Sequence, residues 1–382
     1  MKELVKYITN QVAVAIVRFS SFIRKRPQVT NGVLIVRTDN IGDLIIFSPY
    51  LKKISEYYNS PVSLVVSEVV EEFASGLQER GCPIANILVI DRKKFNRNFL
   101  YKLKFLFKIN QQSYRVALSP AFSRESIGDT IINVSRAKEK IGFSSSERTI
   151  GKSYDRAYTC LFSGISETSK EVEKNAYLLN KINNTASNEI LYPEIIFFDK
   201  DEISAEILIK ELKLKEKRFI LLGPSAAASF RIWPQERYAE IADFINSFGY
   251  QVVICGSKND EQLARGIITH AKFPVISIAG KTPIFVLAAL LKKSLLFIGS
   301  ESAVLHLAAA VNSPAICLMG GGHFNRFYPY FDSPLQQIVF DPEMKCMNDN
   351  WNCARNIPVG QTAPCINGIT VDMVKEKIKS LI

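Results

Sequence analysis

Two groups of polar residues in this 382-residue chain have the types and spacing to do chemistry. The first lies in VRTDNIGDLIIFSPYLKKI (36–54). There an apolar run ends, a polar turn carries Asp39, Asn40 and Gly42, and a helical pattern opens near Asp43. Carboxylates at the carboxyl end of the first strand of an α/β sheet stand where ligands bind, and one could take a proton from a substrate hydroxyl. Asp43 at a helix N-terminus could equally be a cap. Arg37 and Asn40 beside it, with Lys93 and Lys94 further on, are candidates for holding an anionic acceptor.

The second group is split over two segments. FILLGPSAAASFRIWPQERYAEIADFI (219–245) gives a strand, a small-residue loop with Ser225, a cation at Arg231 and a helix opened by Trp233-Pro234. Small residues let backbone approach a ligand, and a guanidinium can fork onto phosphate oxygens. SLLFIGSESAVLHLAAAVNSPAICLMGGG (294–322) adds a strand, the turn Glu301-Ser302-Ala303, a helix carrying His306 and a glycine run from Gly320. Free amides where that helix begins suit a diphosphate. His306, alone on an apolar helix, has the ordinary reading of a satisfied core histidine.

Familiar alternatives lack their parts. No strand is followed by GxGxxG, which removes the main support for a dinucleotide oxidoreductase. Gly151-Lys152-Ser153 looks like the end of a P-loop, but the earlier glycine would have to be Ser146. HExxH and GxSxG are absent, and there are three histidines in all. The seven cysteines are odd in number, and several sit inside apolar runs, as reduced buried thiols do. Cys346, Cys353 and Cys365 have gaps of six and eleven residues, unlike the paired CxxC of a zinc site, so no metal is expected.

The elements that must position these residues alternate between short β-rich runs and helical stretches, the signature of parallel α/β architecture. Strands are expected at 32–37, 61–67, 86–90 and 114–119, and again at 219–223, 251–255, 274–279, 295–299 and 314–319. Three regions follow: an amphipathic helix over 1–30 and two Rossmann-like domains over 31–190 and 191–382. Two such domains with parallel sheets facing across a cleft make the GT-B plan, and fold alone names no chemistry.

The composition is that of a globular protein: 47% hydrophobic and 22% charged residues exclude a disordered chain and a polytopic membrane protein. The formal charge of +11 is one-sided. Residues 1–190 carry 28 basic and 18 acidic side chains, against 20 and 19 in the rest. One domain therefore meets an anion, be it nucleic acid, a membrane face or an acidic substrate. The opening helix puts Val5, Ile8, Val12, Ile16, Phe19 and Ile23 on one face, with Arg18, Arg24, Lys25 and Arg26 near Phe19 and Phe22. Its eleven-residue uncharged run cannot span a bilayer, and it lacks the cleavage site of a signal peptide. It suits either an anionic membrane interface or packing on its own domain. Residues 91–110 add six basic residues after Arg92, interleaved with aromatics. They suit the same surface or, through Leu100, Leu103 and Phe107, the core face of a crossover helix.

Taken together, the first-turn segment, EKIGF (139–143), RIWPQERYAEIADFI, the stretch from Ala279 through Gly320 and the PCINGITVDMVKEKI tail resemble the ADP-heptose:lipopolysaccharide heptosyltransferases, glycosyltransferase family 9, in the family's order. The resemblance implies that 31–190 is the acceptor-binding domain and 191–382 the nucleotide-sugar-binding domain, that Asp43 is the catalytic base, and that Arg231 and the turn and helix over 301–306 hold the donor's diphosphate and sugar. It implies a metal-independent inverting enzyme without cofactor, taking a nucleotide sugar, possibly ADP-heptose, to an anionic glycolipid. The site is expected at the cytoplasmic face of a bacterial inner membrane, with no nucleic-acid partner. Glu301 stands where the family usually has aspartate, and Arg231 where lysine is usual. The rival readings are a sugar-nucleotide epimerase or hydrolase on the same fold, and a degenerate binding module.

Overall fold

The computed structural model describes residues 2–23, 32–145, 149–187 and 189–382. The chain divides into two units, residues 1–167 with 173–191, and residues 168–172 with 192–382.

The first unit holds a sheet of β1 (Val33–Arg37), β2 (Val62–Ser67), β3 (Ile84–Ile90), β4 (Val116–Ser119), β5 (Glu139–Phe143) and β6 (Cys160–Phe162), in the order β3-β2-β1-β4-β5-β6. Every pairing is parallel. β1 and β2 are buried at every residue, which is why they read as unbroken apolar runs rather than alternating ones. The order reverses between β1 and β4, and ligands of doubly wound sheets bind at the carboxyl ends of strands beside such a reversal.

Around this sheet, α1 (Lys2–Ile23) packs on α4 (Phe99–Asn110) and α5 (Ser126–Val134), while α2 (Ile41–Tyr58) follows β1 and α3 (Arg92–Arg97) follows β3. The face of α1 that docks is not the one the longer apolar side chains mark. Asn10, Ala13, Val14 and Val17 are buried, whereas Val5, Ile8, Val12, Ile16 and Phe19 are 40–71% exposed. Both faces carry apolar residues at helical spacing, so periodicity alone does not choose between them. Ala13 permits close approach, and Asn10 finds its partners on the inner side: it accepts from Lys102 Nζ at 2.5 Å and donates to the Tyr154 hydroxyl at 3.0 Å. Arg18 donates to the Asn133 side-chain and backbone oxygens. Arg24, Lys25 and Arg26 lie outside the described residues, as does the Phe22 side chain. In α4 the core face is Phe105, Leu106 and Ile109, with Leu103 and Phe107 at its margin; Leu100, expected inside, is 70% exposed.

The second unit repeats the plan with β7 (Phe219–Gly223), β8 (Gln251–Ile254), β9 (Val275–Ser277), β10 (Leu296–Ser300), β11 (Ala315–Leu318) and β12 (Gln336–Val339), ordered β12-β11-β10-β7-β8-β9. The reversal falls between β7 and β10, which pair in register, Gly299 opposite Gly223. A Cβ on Gly299 would stand 2.4 Å from the Gly223 carbonyl oxygen, so the strand needs glycine there. α6 (Gln235–Ser247) follows the Arg231 loop, α7 (Ala303–Ala310) follows β10, and α8 (Val371–Lys379) packs on α6. The tail is tied down by Trp233, whose indole N–H donates to the Ile369 carbonyl at 2.9 Å.

All nine expected strands are present, and β5, β6 and β12 are added. A single cut near 190 does not describe the units, because 168–172 belongs with the second. Its Glu171 is buried and ion-paired to Arg326 at 2.7 Å, and the Glu171 N–H donates to the Arg326 carbonyl.

Candidate functional site

The first unit presents a carboxylate pair at the carboxyl end of β1. Asp43 is the third residue of α2, and its Oδ2 accepts the Asn40 N–H at 3.1 Å, so the capping role is real. Its other oxygen lies 3.7 Å from Arg37 Nη2, a nitrogen that also donates to the Asp43 carbonyl at 3.1 Å. Asp39 approaches the same guanidinium, 3.2 Å from Nε. Arg37 is 2% exposed and lies over the Phe47 ring, so it serves these two carboxylates and is not a surface cation reaching for an acceptor.

Two partly buried carboxylates share one guanidinium. Burial pushes the Asp39 carboxyl up to about 8 against the pull of Arg37, and the Asp43 and Glu125 charges push the same way. Asp39 therefore holds its proton at neutral pH, and Asp43 lies against the same guanidinium. Around them, Ser67 donates to the Asp39 carbonyl at 2.8 Å, and Arg92 grips both oxygens of Glu125 at 2.7 and 2.8 Å. Lys93 and Lys94 are exposed on α3, and β3, which precedes it, is two strands from β1. Lys94 is engaged by Asp91, its helix cap, at 3.2 Å.

The second unit gathers its candidates at the β7/β10 reversal. Arg231 closes a short 3-10 turn after β7, and its Nη2 meets Glu301 Oε2, just past β10, at 2.5 Å. Both side chains are largely buried. The guanidinium stacks on Trp351, 4.8 Å from the ring centre. Ser302 precedes α7, and among the described residues its buried hydroxyl has no hydrogen-bond partner. Ala303 begins α7, leaving its first amides directed at the same strand ends. Ser225 follows β7, and Gly320 follows β11, where a Cβ would stand 2.5 Å from Trp351.

His306 behaves differently. It is buried, Nδ1 lies 2.9 Å from the Tyr330 hydroxyl, and the two rings stack. Burial holds its pKa down to about 4, so it is neutral at physiological pH and supplies no cation for a diphosphate. Its place is to tie α7 to the Tyr330 segment. The sequence reading missed Tyr330 and Trp351. Trp351 had one signal, since it and Trp233 are the only tryptophans of the chain and both lie close to Arg231, in sequence or in space.

Residues 131–353 match the model of glycosyltransferase family 9 (heptosyltransferase). The chain belongs to glycosyltransferase family 9. Within it, lipopolysaccharide heptosyltransferase 3 of Escherichia coli K12 is 34% identical over 124 residues, 31% of this chain and 35% of that protein. The chain thus spans about a third of the length of the curated relatives it matches. Over the whole fold, this family-9 chain superposes on a glycosyl transferase family 9 structure from Veillonella parvula with a TM-score of 0.73 at 17% identity, covering 94% of this chain and 99% of the other. On E. coli heptosyltransferase WaaC with ADP-2-deoxy-2-fluoro heptose the TM-score is 0.63 at 14% identity, covering 91% and 99%. The fold is GT-B.

Proposed function

We propose that this family-9 chain is an inverting glycosyltransferase that moves heptose or a related sugar from a nucleotide diphosphate, with ADP-heptose as the leading donor, to an anionic saccharide of the lipopolysaccharide-core class. The observation that carries the reading is the set Arg231, Glu301 and Ser302 at the strand reversal of the second sheet. The names of the heptosyltransferase relatives support the donor class. Arg231 spends Nη2 on Glu301, and its remaining N–H groups are directed to phosphate oxygens, with Ser302 Oγ and the first amides of α7 beside them.

Asp43 takes the proton from an acceptor hydroxyl. That oxygen bonds to the anomeric carbon as the bond to the diphosphate oxygen breaks, in one displacement with inversion. General-base help of this kind is worth about 10²- to 10⁴-fold, and the developing charge on the leaving group falls to Arg231, so transfer itself calls for no metal. Asp43→Ala should lower sugar transfer by about that factor while leaving donor binding in place. Equal turnover in the two proteins removes Asp43 from the base role.

The same reading takes the acceptor to be met at an anionic leaflet. Val5, Ile8, Val12, Ile16 and Phe19 of α1 are exposed, and α4, against which α1 packs, carries exposed Leu100, Lys104 and Lys108. No helix among the described residues is long and apolar enough to cross a membrane. An exposed apolar stripe beside basic side chains fits a helix lying in the headgroup region, each Lys or Arg adding about 1 kcal/mol near an anionic surface. The protein should sediment with phosphatidylglycerol-containing vesicles, less with phosphatidylcholine alone, and Ile8→Glu with Phe19→Glu should abolish it. Equal sedimentation of the double variant, or self-association through this stripe without vesicle binding, refutes the assignment.

A further inference from the structure

Two of the three cysteines whose sequence spacing argues against a metal are brought together by the fold, with an aspartate between them. Cys346 Sγ, Cys353 Sγ and a carboxylate oxygen of Asp349 lie within 4.8 Å of one another. Cys365, buried on the short helix Pro364–Asn367, stands at the neighbouring Gly321 turn.

The backbone of the loop is held tightly against the Gly320–Gly322 turn. Asn348 and Asn350 donate to the Gly321 and Gly322 carbonyls at 2.7 and 2.9 Å, and the Gly321 N–H points at Cys365 Sγ at 3.4 Å. Asn348, Asn350 and Trp351 all adopt left-handed φ, between 54° and 58°. A Cβ on Gly321 would meet the Cys346 carbonyl oxygen at 2.0 Å, which fixes glycine there.

We propose that Cys346, Asp349 and Cys353 form a three-ligand site, with its fourth position open, for a thiolate-preferring divalent metal, zinc above all. Two thiolates and one carboxylate fall within the ligand chemistry of zinc, and hard cations that demand an all-oxygen shell do not suit the donor set. With Zn–S near 2.3 Å, ligand sulfurs stand ~3.8 Å apart. The present spread is wider by about 1 Å, which side-chain rotation closes. Asp349 follows Cys346 after two intervening residues, the spacing of a zinc knuckle with a carboxylate in place of its second thiolate. The carboxylate also accepts the Trp351 and Cys353 amides, at 2.9 and 3.4 Å, which would orient it toward the ion.

The site's work is positional. It would fasten the loop that holds Trp351 beneath Arg231 and beside the Gly320–Gly322 turn, and so set the cation of the proposed donor half-site without touching the reacting atoms. It stands whether or not the chain transfers heptose, because its ligands and its test involve no sugar nucleotide.

The test is elemental analysis of the full chain purified under reducing conditions, followed by exchange with Co²⁺. One zinc per chain is expected, with thiolate-to-cobalt charge-transfer absorption after exchange. Removing the metal with a chelator should shift the tryptophan emission, to which Trp351 contributes. Cys353→Ser should lower metal affinity at least about tenfold, Asp349→Cys should retain the metal, and Cys255→Ser, at a buried thiol elsewhere, should change nothing. The wild-type measurements need no variant to fold. Metal-free protein that takes up no Co²⁺ overturns the site, as does a Cys346–Cys353 disulfide in its place, or full occupancy in Cys353→Ser.

Discussion

Asp39→Asn isolates the electrostatic logic of the first half-site. The folded protein holds the Asp39 proton until about pH 8, whereas an unfolded aspartate releases it near 4. Between those values folding takes up one proton, so the wild type loses stability as the pH rises, by at most about 1.4 kcal/mol per pH unit. Asparagine has no proton to lose and resembles the protonated acid in shape. The variant should gain on the wild type steadily as the pH rises above 4.5, by up to about 2.7 kcal/mol between pH 5 and 7. Urea unfolding at pH 4.5, 5, 6 and 7 reads this directly. The variant should also keep the wild-type transfer rate at pH 7, because Asp43 and Arg37 remain paired as before. Two stability profiles that run parallel, or a variant less stable at pH 7, would show that Asp39 is ionised there and that Arg37 supports both carboxylates at once.

Two further outcomes follow from the second unit. Gly299→Ala places a methyl 2.4 Å from a backbone oxygen that cannot rotate away; the strands must part, at a cost of about 1–3 kcal/mol or more, visible as a lowered thermal midpoint with or without ligand. Trp351→Ala removes the face on which Arg231 rests, and a cation–π contact of this burial is worth about 1–2 kcal/mol. Nucleotide-sugar affinity by calorimetry should fall roughly 5- to 30-fold, with Trp351→Phe in between, and an unchanged affinity in Trp351→Ala would mean that Glu301 alone positions the guanidinium.

Most of the sheet architecture was legible because strands buried on both faces leave unbroken apolar runs. The three strands without such a run escaped: β12 is half polar, β6 is three residues long, and β5 begins with Glu139-Lys140. In the candidate site, strand-end positions could be read and pairings could not. Arg231 and Glu301 are seventy residues apart, and nothing local says that one guanidinium will meet that acid and a tryptophan 120 residues downstream. His306 shows the converse, since its position in the motif suggested a ligand contact while its apolar helix predicted the buried, neutral ring that the fold contains. That Cys346 and Cys353 meet was not legible for a simpler reason: a search for paired thiols passes over a cysteine followed, after two residues, by aspartate.

The charge asymmetry acquires a location once the buried cations are separated from the surface ones. In the first unit Arg37 is enclosed with Asp39 and Asp43, and Arg124 with Asp129 and Asp155. Lys102, Lys140 and Lys174 are buried on neutral oxygens, of Asn10, Asn133 and Glu167. Five cations stand against four acids there, of which Asp39 keeps its proton at neutral pH, so these pairings take up only a small part of the basic excess. Among the described residues, Lys93, Arg97, Lys104 and Lys108 are exposed on or beside the helix that seats α1. Surface charge of one sign next to an uncovered apolar stripe is the arrangement in which attraction and insertion act together, and salt separates them. Raising the ionic strength should weaken vesicle association of the wild type while leaving the smaller binding to neutral vesicles, carried by Ile8 and Phe19, largely intact. A salt-insensitive association with anionic vesicles would assign the contact to the apolar stripe alone and leave the excess charge to the acceptor.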